Sequence, residues 1–405
     1  MKKLLALGLA AAMTVTGACL LASCKEDDST LKVGFIALHD SNSTYDKNFI
    51  DAIEAACDAK GVDLVMKTGI PETSECYNAA ADLVDQGCDV IFANSFGHEE
   101  FILQAAKEFP EVEFCHATGT LAHTAGVANH HNAFAHIYQG RYLAGVAAGM
   151  KLVEMHEAGE LKANNYDADG NIKIGYVGAY PYAEVVSGYT SFFLGARSIV
   201  EEETDISISM EVTYTSSWFD EAAESEGAKT LISRGAALIS QHADSMGAPS
   251  ACEAAGVPNV SYNGSTEASC PNTFIVSSYI NWEPYFEYMI DCVMNGEEIA
   301  ADWTGTLETG SVALTELGAA AAEGTAEKIE EVKAQLEAGT LNVFDCSKFT
   351  VDGEPLTTYM ADVDTDDAFT PDHEAIENGV FYESKHRSAP YFDVRIDGIT
   401  ELSES

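Results

Sequence analysis

From Leu31 onward the chain alternates short apolar runs with amphipathic stretches. Leu31 to Leu38 reads as a buried strand, and Phe49 to Lys60 as an amphipathic helix stopped by Gly61. Val62 to Lys67 reads as strand, Glu75 to Gln86 as helix stopped by Gly87, and Asp89 to Asn94 as strand. Glu99 to Phe109 then reads as a helix ended by Pro110, and Val112 to Ala117 as strand. Strands alternating with helices of about 10–15 residues predict βαβ units and a parallel sheet.

The pattern then restarts. Ile172 to Ala179 (IKIGYVGA) echoes Leu31 to Leu38 (LKVGFIAL), and Gly235 to Asp244 echoes Gly87 to Phe96. The offset of about 140 to 148 residues is too long for a solenoid repeat. It fits two similar α/β lobes in one chain. The polar stretch Asn164 to Asn171 reads as a loop, and Glu323 to Ala338 as a charged surface helix. From Phe344 onward short strands alternate with turn signals such as Asp352-Gly353. Asp362 to Asp372 is too acidic for core and reads as a solvated loop, without the spacing of an EF-hand calcium site.

The N-terminus changes the picture by assigning a compartment. Lys2 and Lys3 precede an apolar stretch, Leu4 to Leu21, that ends in Leu21-Ala22-Ser23-Cys24. This is the layout of a secretory signal peptide over 1–23. The cysteine after the small residues makes it the lipoprotein variant. Cys24 is the expected lipid anchor to the cell membrane, and residues 24–30 are a polar tether. No later stretch reaches the roughly 18 uninterrupted apolar residues of a spanning helix. The chain carries 21 Lys+Arg against 65 Asp+Glu, a formal net charge of -44. That argues against nucleic acid, whose binders carry basic patches. Cys19 lies in the signal peptide. The eight cysteines after Cys24, from Cys57 to Cys346, include no CxxC and sit mostly in apolar runs, so they read as buried free thiols.

In open α/β sheets ligands bind beyond the carboxyl ends of the strands. Here the first strand ends in His39 to Tyr45, the third in Asn94-Ser95-Phe96, and the fourth in His116-Ala117-Thr118. In the second half the ends carry Tyr180, Tyr182 and Glu184, then Trp218, then His242 and Asp244, then Tyr262-Asn263, then Asn281-Trp282. Asp, Ser and Asn are common at ordinary caps and turns. Their recurrence beside aromatics in both halves points instead to a pocket between lobes for a planar, polar heterocycle. Such a ligand needs flat faces and directional hydrogen bonds.

The run His136 to Gly149 (HIYQGRYLAGVAAG) resembles the motif of the basic membrane protein family. These are substrate-binding lipoproteins of ABC transporters related to purine nucleoside receptor A. Gly175 to Val185, Gly195-Ala-Arg197, Ser217-Trp-Phe-Asp220 and Gln241-His-Ala-Asp-Ser245 resemble its adenine or purine-base branch, so that nearly all of 31–345 is covered. The resemblance implies a type I periplasmic-binding fold: two doubly wound Rossmann-like lobes with a ligand cleft between them. Lobe 1 would span 31–136, completed by about 262–312. Lobe 2 would span 137–261, completed by about 313–345, with 346–405 an extension packing on both. Tyr45 and Trp218 would sandwich the base, and Asp244 would face it from the second lobe. His116 lies where nucleoside-binding relatives place a base-reading Asp, Asn263 where they place a ribose-holding Asp, and Asn281 where they place a Lys. The departures at Asn263 and Asn281 favour a free purine base over a nucleoside. The implied partners are an ABC permease and its ATPase, with the chain a monomer and no cofactor.

Three rivals keep a foothold in the residues. Glu184 and Asp244 could form an acid–base pair of a purine-processing enzyme. His116, His123, His130, His131 and His136 could hold a metal. The same fold could also serve as a ligand sensor.

Overall fold

The computed structural model describes residues 30–363 and 372–402. The signal peptide, Cys24 and most of the acidic stretch Asp362 to Asp372 lie outside them. No helix among the described residues is long and apolar enough to cross a membrane.

The first lobe contains β1 (Lys32–Ile36), α1 (Thr44–Lys60), β2 (Asp63–Lys67), α2 (Ser74–Asp85), β3 (Val90–Ala93), α3 (Glu99–Glu108), β4 (Glu113–Ala117) and β5 (His130–Ala135). Then α4 (Ile137–Glu157) carries the chain into the second lobe. There follow β6 (Ile172–Gly178), α5 (Ala183–Glu203), β7 (Ile208–Tyr214), α6 (Glu221–Ser233), β8 (Ile239–Gln241), α7 (Gly247–Ala255), β9 (Asn259–Tyr262) and β10 (Phe274–Ile280). Next come α8 (Glu283–Asn295), β11 (Asp302–Gly305), β12 (Val312–Leu314) and α9 (Thr325–Glu337).

The first sheet has the order β2-β1-β3-β4-β5-β11, and every neighbouring pair is parallel. The second repeats the same winding, β7-β6-β8-β9-β10. It adds antiparallel β12 at one edge and the short parallel strand Ile399–Glu401 at the other. Both sheets are covered on both faces, which is why their strands read as nearly unbroken apolar runs. In β3, Val90 and Phe92 enter one core cluster, while Ile91 and Ala93 enter the cluster on the opposite face.

Two differences from the sequence reading have local causes. Helix α1 begins at Thr44 rather than Phe49, because Ser43 caps it by accepting from Asp46 N at 3.1 Å. This puts Tyr45 in the first helical turn. The return to the first lobe, expected near 262, comes after Ile280, because β10 pairs parallel with β9 and stays in the second sheet. The charged helix α9 is not wholly a surface element, since Ile329, Val332 and Leu336 are buried in the second lobe's core.

The chain crosses between lobes three times, at His136, at Asn281–Trp282 and at 306–311. The crossings are tied to one another. His136 N donates to Gly305 O at 2.9 Å, and Asn281 N donates to Ser311 O at 2.8 Å. After α9 the chain forms short hairpins whose Phe344, Phe349, Phe381 and Phe392 join the second lobe's core. Phe344 stacks on Phe392 with ring centroids 4.1 Å apart. The eight cysteines among the described residues are all buried and unpaired.

The glycines of the His136 to Gly149 run serve helix packing. A Cβ on Gly145 would stand 2.1 Å from Phe192 O of α5, and one on Gly195 2.1 Å from Tyr142 O of α4. The two backbones therefore touch where no side chain fits. Gly145→Ala is expected to cost about 1–3 kcal/mol or more through forced separation of α4 and α5, read as a lower midpoint in urea unfolding. An unchanged midpoint would mean that the helices part freely.

Candidate ligand-binding site

The carboxyl ends of both sheets face one cavity of about 360 Å³, within the ~300–1,000 Å³ span of small-molecule sites. The lobes meet around it. Phe96 packs against Tyr182 with ring centroids 5.6 Å apart, and His39 against Phe219 at 5.5 Å. Thr44 N donates to Asp244 O across the cleft at 3.0 Å.

From the first lobe, Tyr45, Ser95 and Phe96 line the cavity, as the sequence suggested, together with His39 and Asp46. Tyr45 is held by its hydroxyl, which donates to Asn94 O at 2.6 Å. Burial, followed by the nearby carboxylate of Asp46, raises its pKa well above the usual phenol value. Asp46 accepts from His39 N at 3.1 Å and from Asn94 Nδ2 at 2.8 Å. Burial is the largest single influence on Asp46 and raises its pKa. The bonds from His39, Asn94 and Ser43 together outweigh it, and the pKa ends below the ordinary value. Thr118 also lines the site and holds φ at 62°, a left-handed conformation that is costly for a β-branched residue.

From the second lobe come Glu184, Trp218, His242, Asp244 and Asn263, all expected, and Tyr182 and Tyr262. Trp218 is set by neighbouring rings, with Tyr180 edge-on at 5.0 Å. Glu184 Oε2 lies 2.6 Å from His242 Nε2, and Glu184 Oε1 accepts from the Tyr262 hydroxyl at 3.2 Å. Beneath them the buried Arg141 lies over the Tyr262 ring, 4.4 Å from its centroid, and donates to Gln241 O at 3.1 Å. Asn263 Nδ2 donates to Asp244 Oδ1 at 2.9 Å. Burial first, then the carboxylates of Glu224 and Asp46, push the Asp244 pKa well above the carboxylate range. Asn263 has φ at 67°, a conformation Asn tolerates, which turns the chain at the cavity wall.

Four expected site residues do not line the cavity. Asn94 is spent on Asp46 and on Leu38 N. His116 is fully buried under the site, its Nε2 2.6 Å from Ser95 O, and burial pulls its pKa down to about 4. Asn281 works at the crossovers: its Nδ2 donates to Gly310 O at 3.3 Å and its Oδ1 accepts from Glu283 N at 3.2 Å. Trp282 stacks on Phe49 at 4.3 Å within the first lobe's aromatic core. The cavity instead gains residues that sequence reasoning missed, namely Tyr359, Arg387, Tyr391 and Asp393 from the C-terminal extension.

The five histidines offered as metal ligands do not converge. His123 pairs with Asp302 at 3.1 Å and His131 with Glu113 at 2.8 Å, while His130 faces Glu99 at 3.6 Å. Among the described residues no three His, Cys, Asp or Glu side chains are grouped to hold a metal ion.

Buried acids also fix the loops behind the site. Glu99 accepts from Thr120 N at 2.8 Å and from Leu121 N at 2.9 Å. Burial raises its pKa, but His130 and those two N–H groups lower it further, to about 2. With a folded pKa below the unfolded value, its stabilisation is complete above about pH 4.5 and is lost as pH falls toward 2. Glu99→Gln should therefore cost roughly 3 kcal/mol near neutral pH and flatten the acid limb of a stability profile. An acid limb with the same slope would show that Glu99 is not held ionised.

The Bmp family, described as ABC transporter substrate-binding protein PnrA-like, matches residues 35–340. The chain is 29% identical over 331 residues to a purine-binding protein of Brucella abortus, covering 80% of this chain and 86% of that one. It is 30% identical over 261 residues to a Haloferax volcanii protein named for ABC-transporter glucose binding, covering 64% of this chain and spanning only 60% of that relative's length. A solved structure from Conexibacter woesei, a solute-binding protein of an ABC transporter system, has the same fold. Its TM-score is 0.60 at 22% identity, over 77% of this chain and 98% of that one. With the family match running from β1 through both sheets to the end of α9, the chain belongs to the Bmp family of PnrA-like ABC transporter substrate-binding proteins.

Proposed function

We propose that the cavity binds a purine base or a related purine compound and that the protein hands it to an ABC permease. The observation that carries this reading is the pairing, in one cavity, of the flat faces of Tyr45 and Trp218 with the hydrogen-bonding edges of Asp244 and Asn263. Stacking serves any π-face, and the polar edges read ring nitrogens and exocyclic groups. Burial pushes the Asp244 pKa upward, which favours its protonated, donating form. The purine-binding relative supports the same ligand class. The glucose-named relative makes a sugar the competing ligand.

Binding proteins of ABC importers work outside the cytoplasmic membrane. In this reading Cys24 is lipidated and residues 24–30 form the tether that keeps the body near its permease. A lipid anchor of more than one chain holds where a single chain binds only marginally. Cys24→Ser should move the protein from the membrane fraction to the medium or periplasm; retention on the membrane would remove the anchor from the account. Ligand release would follow hinge opening at the three crossovers.

Calorimetric titration with adenine, guanine, hypoxanthine, their nucleosides and glucose decides the ligand. At least one purine is expected to bind with Kd below about 100 μM. Trp218→Ala should weaken it by roughly 1–3 kcal/mol. Glucose binding with no purine response would overturn the purine reading.

A further inference from the structure

The family match stops at residue 340, yet the cavity does not. Tyr359, Arg387, Ala389, Pro390, Tyr391 and Asp393 line it from the segment that follows. We propose that this C-terminal segment is a built-in wall of the binding site, and that its Arg387 selects ligands presenting oxygen acceptors on that side. The proposal rests on the cavity's being the ligand site, as argued above.

The segment is fixed to the second lobe by its core and its edge. Phe344, Phe349, Phe381 and Phe392 are buried with that lobe's helices, and Ile399–Glu401 extends its sheet beside β7. The buried Glu383 accepts from the Ser187 hydroxyl of α5. Glu401 Oε1 accepts from the hydroxyls of Tyr189 and Tyr214 at 2.7 and 2.6 Å. Toward the first lobe the attachment is light: Ser388 N donates to Asp302 Oδ2 at 2.7 Å. The attachments of the segment are therefore mainly to the second lobe, and from there Tyr359, Arg387 and Tyr391 reach the cavity.

Arg387 gives this wall its chemistry. Among the described residues that line the cavity it is the only Lys or Arg, beside the acidic Asp46, Glu184, Asp244, Asp362 and Asp393. Two of its donors are used to hold its own loop, with Nε bonding Ala389 O at 3.0 Å and a terminal nitrogen bonding Pro390 O at 3.2 Å. The guanidinium also lies over the Tyr391 ring, 5.7 Å from its centroid. A guanidinium has five N–H donors and no acceptor. The atoms it receives from a ligand are therefore oxygens or bare ring nitrogens, not amino groups. Both purines carry bare ring nitrogens, but hypoxanthine presents a carbonyl where adenine presents an amino group, so with that edge toward Arg387 this wall favours an oxopurine over an aminopurine.

The test uses the full chain with Arg387→Gln and Tyr359→Ala. Removal of the whole segment is avoided because its phenylalanines are core. Hypoxanthine and adenine are titrated by calorimetry. In parallel, acrylamide quenching of Trp218 is taken as the difference from a Trp218→Phe control. The wild type is expected to prefer hypoxanthine, and Arg387→Gln to weaken hypoxanthine about tenfold while adenine changes less. Both variants should make Trp218 more readily quenched, because the cavity loses a wall. A wild-type preference for adenine would overturn the Arg387 assignment. Unchanged quenching, with both affinities within about twofold of wild type, would overturn the wall itself. If neither purine binds the wild type, the purine reading fails, and the quenching comparison alone decides the wall.

Discussion

Around the cleft, a carboxylate pins one loop after another by gathering its N–H groups. Asp46 holds His39 at the end of β1, and Glu72 accepts from Ser95 Oγ at 2.6 Å and from Gly97 N at 2.7 Å at the end of β3. Glu99 holds Thr120 and Leu121 beyond β4, and Glu224 holds Ser245 beyond β8. Hydrogen bonds to charged groups are each worth about 1.5–3 kcal/mol, enough to offset much of the cost of desolvating an acid. The geometry leaves little slack. A Cβ on Gly97 would sit 2.6 Å from Glu72 Cδ, so a larger residue there would displace the carboxylate that holds the loop. Loops fixed this way can present Tyr45, Trp218 and Asp244 at set positions without help from a ligand.

The two lobes use this device unequally. In the first, Glu99 is drawn down to a pKa of about 2, whereas in the second, burial pushes Glu224 up to about 7. The second lobe also carries the C-terminal segment and the Arg141 layer beneath Glu184 and His242. It is the larger and more tightly furnished half. The first lobe offers a simpler surface, joined through three crossings whose backbones are hydrogen-bonded to one another. In the proposed reading these crossings are the hinge about which the halves would close on a solute.

Much of the fold was legible because buried parallel strands leave apolar runs and helices stop at glycines such as Gly61 and Gly87, both in left-handed conformation. The return point at Ile280 was not legible, since β9 and β10 are both apolar enough for either sheet. At the site, residues on strand ends could be placed near the cleft but not aimed. Asn281 and Trp282 follow β10, yet the crossover takes one side chain and the aromatic core the other. His116 carried a suggestive position and lies one layer too deep. The extension read only as short strands and turns, a pattern that aims no residue at the cavity. Its strands are two or three residues long, and Arg387 reaches the cavity through turns rather than through a βα unit.

The most direct measurement is a crystal structure of the protein soaked or grown with hypoxanthine. The purine reading places the ring in the cavity between Tyr45 and Trp218, within hydrogen-bond reach of Asp244 or Asn263, with an acceptor atom toward Arg387. A purine bound elsewhere, or a cavity filled by a sugar while the purine is ignored, would contradict it.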